Sequence, residues 1–152
     1  MNLFLYLIVF CSSFLLSQDD PCSLSTNTIY LNNNEVWYNT DFDIGGFQWD
    51  VDGTTVLGGS GGDAEIAGFT VQSAGQTILG FSFTGSYVPS GCGILTIMSL
   101  NGNATGLSGI VFSNNTGQAI NVDYYCFDPD GDNICGESDT CPYDFLNDED
   151  ND

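Results

Sequence analysis

The stretch GFQWDVDG, residues 46–53, alternates with a period of two: Phe47, Trp49 and Val51 are apolar, and Gln48, Asp50 and Asp52 are polar. Successive side chains of a β-strand point to opposite faces, so this pattern makes a strand with one buried and one wet face. The stretch TILGFSFT, residues 77–84, repeats the pattern, with Leu79, Phe81 and Phe83 expected to be buried against Gly80, Ser82 and Thr84. Outward from these two, short β-branched and aromatic runs predict further strands at 28–31, 35–38, 69–73, 93–100, 109–113 and 119–125. Gly and Asn clusters separate most of them, and helical periodicity is almost absent. Residues 63–67, DAEIA, can make one helical turn, too short to stand alone. So many short strands in a chain of this length predict an all-β fold, a β-sandwich of jelly-roll or immunoglobulin-like type.

The 152 residues include 20 acids and no Lys, Arg or His, so the formal charge of −20 has no internal counter-charge. Such a field repels phosphate backbones and anionic headgroups, which argues against nucleic acid and against a peripheral membrane surface as partners. Half of the 20 acids lie at or after Asp128, which marks the last stretch as a separate module. At the other end, residues 1–18 form an apolar run with a small and polar close, read as a signal peptide, with an uncleaved N-terminal anchor as the alternative. The organisation expected is a signal peptide at 1–18, a short linker at 19–26, a β-sandwich at 27–125 and an acidic module at 126–152. Signal removal would leave Cys22, Cys92, Cys126, Cys135 and Cys141 in an oxidising compartment, an odd number.

Four segments of the β region, GFQWDVDG at 46–53, AGFTV at 67–71, ILGFSFTGSYVPSGCGILTIMSL at 78–100 and LSGIVFSNNTGQAINVDYY at 107–125, together resemble a cohesin-type domain. The resemblance implies a jelly roll of nine strands presenting a protein-binding face, although this chain is short for that family.

In the acidic module, DPDGDNICGESD places Asp128, Asp130, Asp132 and Asp139 at relative positions 1, 3, 5 and 12, the ligand spacing of an EF-hand-type calcium loop. Calcium takes six to eight oxygens, and alternating carboxylates on a tight turn deliver several of them; the carbonyl of Ile134, at position 7, adds another. Asn133 stands where Gly is usual, and Asn tolerates the positive φ required there. A second acidic triplet, Asp148, Asp150 and Asp152, follows twenty residues after the first, and its interrupted loop predicts that the natural chain continues. The whole segment DPDGDNICGESDTCPYDFLNDEDND resembles a thrombospondin type 3 repeat. That resemblance implies a coreless stalk held by Ca2+ and disulfides, with Cys141 pairing to a cysteine beyond Asp152. It would then leave Cys126 to pair with Cys135 and Cys22 with Cys92, one of many connectivities the sequence allows. The competing reading of the acids is a solvated, disordered tail.

An enzyme here would have to rely on carboxylates, and Asp50, Asp52, Asp63 and Glu65 are the dense acids of the β region. Solvent exposure or a second calcium site is the plainer reading of Asp50 and Asp52. Cys92 has no histidine anywhere in the chain to activate it, so a disulfide or a buried thiol is expected. A carbohydrate-binding module is the rival function, with Trp37, Tyr38 and Tyr87 as candidate platform residues and Trp49 expected in the core. Trp37 and Tyr38 are adjacent on one strand, so only one of them is expected to be buried. Asn103 and Asn114 head formal glycosylation sequons. The reading as a whole is a secreted, non-enzymatic, calcium-binding adhesion or structural module, with an extracellular protein or a polysaccharide as partner.

Overall fold

The computed structural model describes residues 20–126. The signal-peptide reading of residues 1–18 therefore lies outside the described residues, as does the acidic module apart from Cys126.

Ten strands and one short helix follow a 3-10 turn at Pro21–Ser23: β1 Thr28–Asn32, β2 Glu35–Thr40, β3 Ile44–Asp52, β4 Val56–Ser60, α1 Gly62–Ile66, β5 Thr70–Ala74, β6 Thr77–Phe81, β7 Gly91–Leu100, β8 Gly106–Asn114, β9 Ala119–Ile120 and β10 Asp123–Tyr125. They form two packed sheets of five strands each, with orders β10-β1-β2-β7-β4 and β5-β6-β3-β8-β9. The all-β, two-sheet expectation holds. The pairings are antiparallel except at one edge, where β10 runs parallel to β1 with Ile29 opposite Tyr124. Asn33, with φ 57°, turns the chain between β1 and β2, a conformation that Asn tolerates better than most residues.

The core lies between the sheets. Ile29, Val36, Tyr38 and Leu95 enter it from the first sheet, and Phe47, Trp49, Val51, Ile78 and Phe112 from the second. Phe47 and Trp49 stack at 4.8 Å and 13°, and Phe69 continues the stack beyond Phe47 at 6.0 Å and 12°. A fully buried side chain of this size contributes roughly 1.5–3 kcal/mol, so the aromatic stack and its aliphatic flank carry much of the fold's stability. The buried polar residues among those described are threonines, Thr28, Thr40 and Thr96, which suits a chain whose only charges are carboxylates with no cation to pair with in a dry interior.

Two sequence expectations are corrected, and one strand lies outside them. On β6 the buried pair is Ile78 and Gly80, while Leu79 is 41% and Phe83 81% exposed, so the alternation runs in the phase opposite to the one expected. Strand β4 was not anticipated, since two of the five residues in VLGGS are Gly. The run 119–125 is two strands: Ala119 pairs with Ser113 in the second sheet, and Asp123 pairs with Thr28 in the first, so the chain crosses between sheets at Asn121 and Val122.

The helical turn expected at 63–67 is α1. It is pinned from outside itself, because the Tyr38 hydroxyl donates to Asp63 Oδ2 at 2.9 Å and the Gly61 amide donates to Glu65. Residues 20–26 are tied to the sandwich as well: Leu24 is buried, and a disulfide joins Cys22 to Cys92 across a separation of 70 residues. That pairing is the one implied for Cys22 in the sequence, and it settles the state of Cys92. Cys126 is also disulfide-bonded. Cys135, the partner implied for it, lies outside the described residues. Among the described residues no helix is long and apolar enough to cross a membrane.

Candidate functional site

The outer face of the second sheet carries exposed apolar side chains that the core does not use. Cross-strand register sets Gln72 of β5, Leu79 of β6, Gln48 of β3 and Val111 of β8 side by side. Leu79 is 41% and Val111 53% exposed. The next row toward the β6 C-terminus is Thr70, Phe81, Gly46 and Ser113. Phe81 meets Phe83 edge-to-face at 4.8 Å, just past the strand end. Tyr87, also exposed, precedes Val88, whose backbone bridges Ile44 at the start of β3.

The row on the other side, Thr77, Asp50 and Ser108, is polar. Thr77 donates its hydroxyl to Asp50 Oδ1, and Ser108 donates to Asp52 Oδ1 at 2.7 Å. Asp50 and Asp52 therefore stand on the wet face of β3, as the alternation predicts, each oriented by a neutral hydroxyl. Asp63 and Glu65 are elsewhere, on α1 beside β7, where both serve local structure. The four acids weighed as catalytic candidates are thus split between two places.

The aromatic candidates separate similarly. Trp49 is fully buried, as expected, and its indole N–H has no hydrogen-bond partner among the described residues. Tyr38 points inward, and burial first, then its hydrogen bond and charge repulsion from Asp63, push its phenol well above the usual range. Trp37 points outward yet is only 7% exposed, which corrects the expectation that one of the two must be open. Tyr30 packs edge-on against it at 5.8 Å, and its indole N–H donates to Glu35 Oε2 at 2.9 Å. Tyr125 packs against the other side of Tyr30 at 5.6 Å, giving an aromatic row on the outside of the first sheet. Trp37 lies on β2 of the first sheet, whereas Tyr87 lies on the loop whose Val88 bridges Ile44 of the second sheet.

The predicted calcium ligands Asp128, Asp130, Asp132, Ile134, Asp139, Asp148, Asp150 and Asp152 all lie outside the described residues. Among the described residues no group of three or more His, Cys, Asp or Glu is placed to hold a metal ion. Asn103 sits on an exposed loop, whereas Asn114 Oδ1 accepts from the backbone N–H groups of Thr116 and Gln118 and from the Thr116 hydroxyl.

The exposed row itself was missed in the sequence. Leu79, Phe81 and Phe83, expected in the core, lie outside it, because a side chain at the neighbouring Gly80 would collide with Phe47. The chain matches no protein-family model, no curated protein and no solved structure.

Proposed function

We propose that this chain is a secreted, non-enzymatic binding module of cohesin-like, jelly-roll type. In this reading its second sheet docks a protein partner, and the acidic segment after residue 126 continues as a calcium-stiffened stalk of thrombospondin type 3 kind. The observation that carries the docking reading is the exposed row of Leu79 and Val111 with the Phe81–Phe83 pair, on a sheet face where the core has no use for them. Apolar groups grouped on one sheet face mark an interaction surface more often than scattered ones do. The Cys22–Cys92 disulfide supports an oxidising, extracellular location.

Two experiments test the halves separately. Wild type and a Leu79→Asp/Val111→Asp variant, both checked by circular dichroism, are immobilised and exposed to a secreted-protein fraction; a polypeptide held by wild type and released by the variant is expected. Capture by both alike would overturn the docking face. Calcium titration by calorimetry, beside an Asp130→Ala/Asp132→Ala variant, tests the stalk. Binding with micromolar to millimolar dissociation constants, lost in the variant, is expected. Equal proteolysis of the tail with calcium and with EDTA would count against it.

The partly exposed rings of Tyr30 and Tyr125 favour carbohydrate binding as the second reading, since sugars lie on aromatic rings. Retardation on a polysaccharide affinity gel, abolished by Tyr30→Ala, would favour it over protein docking.

A further inference from the structure

The chemistry of the outer face of the second sheet narrows its partner. Along β6 the outward residues are Thr77, Leu79 and Phe81, and Phe83 follows past the strand end. Along β3, read the other way, they are Asp52, Asp50, Gln48 and Gly46. The face is therefore graded, from an acidic end at Asp52 and Asp50, through a mixed row in which Leu79 and Val111 alternate with Gln72 and Gln48, to an aromatic end at Phe81 and Phe83.

Each end is pre-formed. Phe83 is 81% exposed, yet its loop is held by Ser82, whose hydroxyl accepts from the amides of Thr84 at 3.2 Å and Ser86 at 3.0 Å. An aromatic ring kept in water on an ordered loop loses little entropy when a partner covers it, which is the profile of an interface anchor. At the other end, the hydroxyls of Thr77 and Ser108 fix one oxygen each of Asp50 and Asp52. The second oxygens, both Oδ2, accept no hydrogen bond from the described residues. Gly109, at φ +58°, stands beside Asp50, and a Cβ there would come within 3.2 Å of Asp50 Oδ2. Glycine leaves that oxygen uncovered.

The chain has no Lys, Arg or His, so these carboxylates cannot be neutralised from within. A second copy of the chain would bring its own net charge of −20 to the same face and is repelled; an anionic polymer is repelled in the same way. We infer that this face takes a cationic polypeptide segment, one that sets apolar side chains on Leu79, Val111 and the Phe81–Phe83 pair and a Lys or Arg on Asp50 and Asp52. The inference rests on the docking reading above and adds the partner's charge to it.

The test is selection of a random displayed peptide library on the full chain, with counter-selection on the Leu79→Asp/Val111→Asp variant. Peptides are expected in which apolar residues adjoin Lys or Arg. Their affinity should fall about tenfold in Asp50→Asn/Asp52→Asn and much less in Asp41→Asn/Asp123→Asn, which removes the same charge away from the face. Selected peptides lacking cations, or equal weakening by the two charge variants, would overturn the cationic partner while leaving the docking face standing. A library from which nothing separates wild type from the Leu79/Val111 variant would overturn the docking face, and this inference with it.

Discussion

The Phe47 ring fills the space that a side chain at position 80 would need: a Cβ built on Gly80 stands 2.0 Å from Phe47 Cζ. The two are directly opposed across β3 and β6, and the ring cannot swing away because Trp49 and Phe69 stack on it. This contact sets the phase of β6. With Gly80 facing inward, Leu79 and Phe81 must face outward, so the exposed row follows from how the core is packed.

Gly80→Ala is therefore expected to destabilise the sandwich by about 1–3 kcal/mol, the usual cost of overpacking a core. Gly58→Ala on β4, where nothing lies within 4 Å, should be neutral or slightly stabilising. Denaturant midpoints of the two variants beside wild type check the contrast, and similar midpoints would mean that the ring yields.

The Tyr38–Asp63 hydrogen bond joins the core to α1, a helix too short to persist alone. Tyr38→Phe keeps the ring and removes the donor, so a loss of roughly 1–2 kcal/mol is expected. Hydrogen exchange should rise first at residues 62–68. Gly93→Ala is expected to act at the same place, since its Cβ would come within 2.5 Å of Asp63 Oδ2.

Much of the architecture was legible in the sequence because alternation in β3 and the Gly and Asn breaks are local signals. What escaped it depends on contacts distant in sequence. In β6, Leu79 and Phe81 form the bulkier apolar phase of ILGF, and only the Phe47 ring opposite Gly80 turns that phase outward. Trp37 and Tyr38 face opposite ways, as adjacent strand residues must, yet both are buried because Tyr30 covers the outer one. Strand β4 forms because β7 offers it a partner, with Gly59 opposite Met98, and its own glycines carry little strand propensity. Of the candidate site, the acids on the wet side of β3 were readable; their hydroxyl partners on β6 and β8 were not.

The Cys22–Cys92 bridge closes a long loop, from the N-terminal turn to the start of β7, with a separation of 70 residues. Loop-closure entropy in the unfolded chain makes such a cross-link worth about 4 kcal/mol. Cys22→Ser/Cys92→Ser should lower the thermal midpoint markedly and free Leu24 from its buried position. A midpoint unchanged by the double substitution would show that the turn is held by packing alone.

Alkaline pH should unfold the sandwich through its tyrosines. Burial, with smaller contributions from Tyr30 and Asp52, pushes the Tyr124 phenol up to about 12; Tyr38 is also raised, by burial first and then by Asp63, and Tyr30 by burial and by Tyr125. An unfolded tyrosine ionises near the ordinary value of 10.0. Below that value both states hold the proton and the stability is fully present. Above it the unfolded chain releases protons that the folded chain keeps, so stability falls as pH rises from 10.0 through about 12. Absorbance titration should show part of the tyrosines ionising only with the loss of near-ultraviolet circular dichroism, and Tyr124→Phe should make the fall in stability shallower. Ionisation of all the tyrosines near the ordinary value, with the fold intact, would contradict the buried environments of Tyr38 and Tyr124.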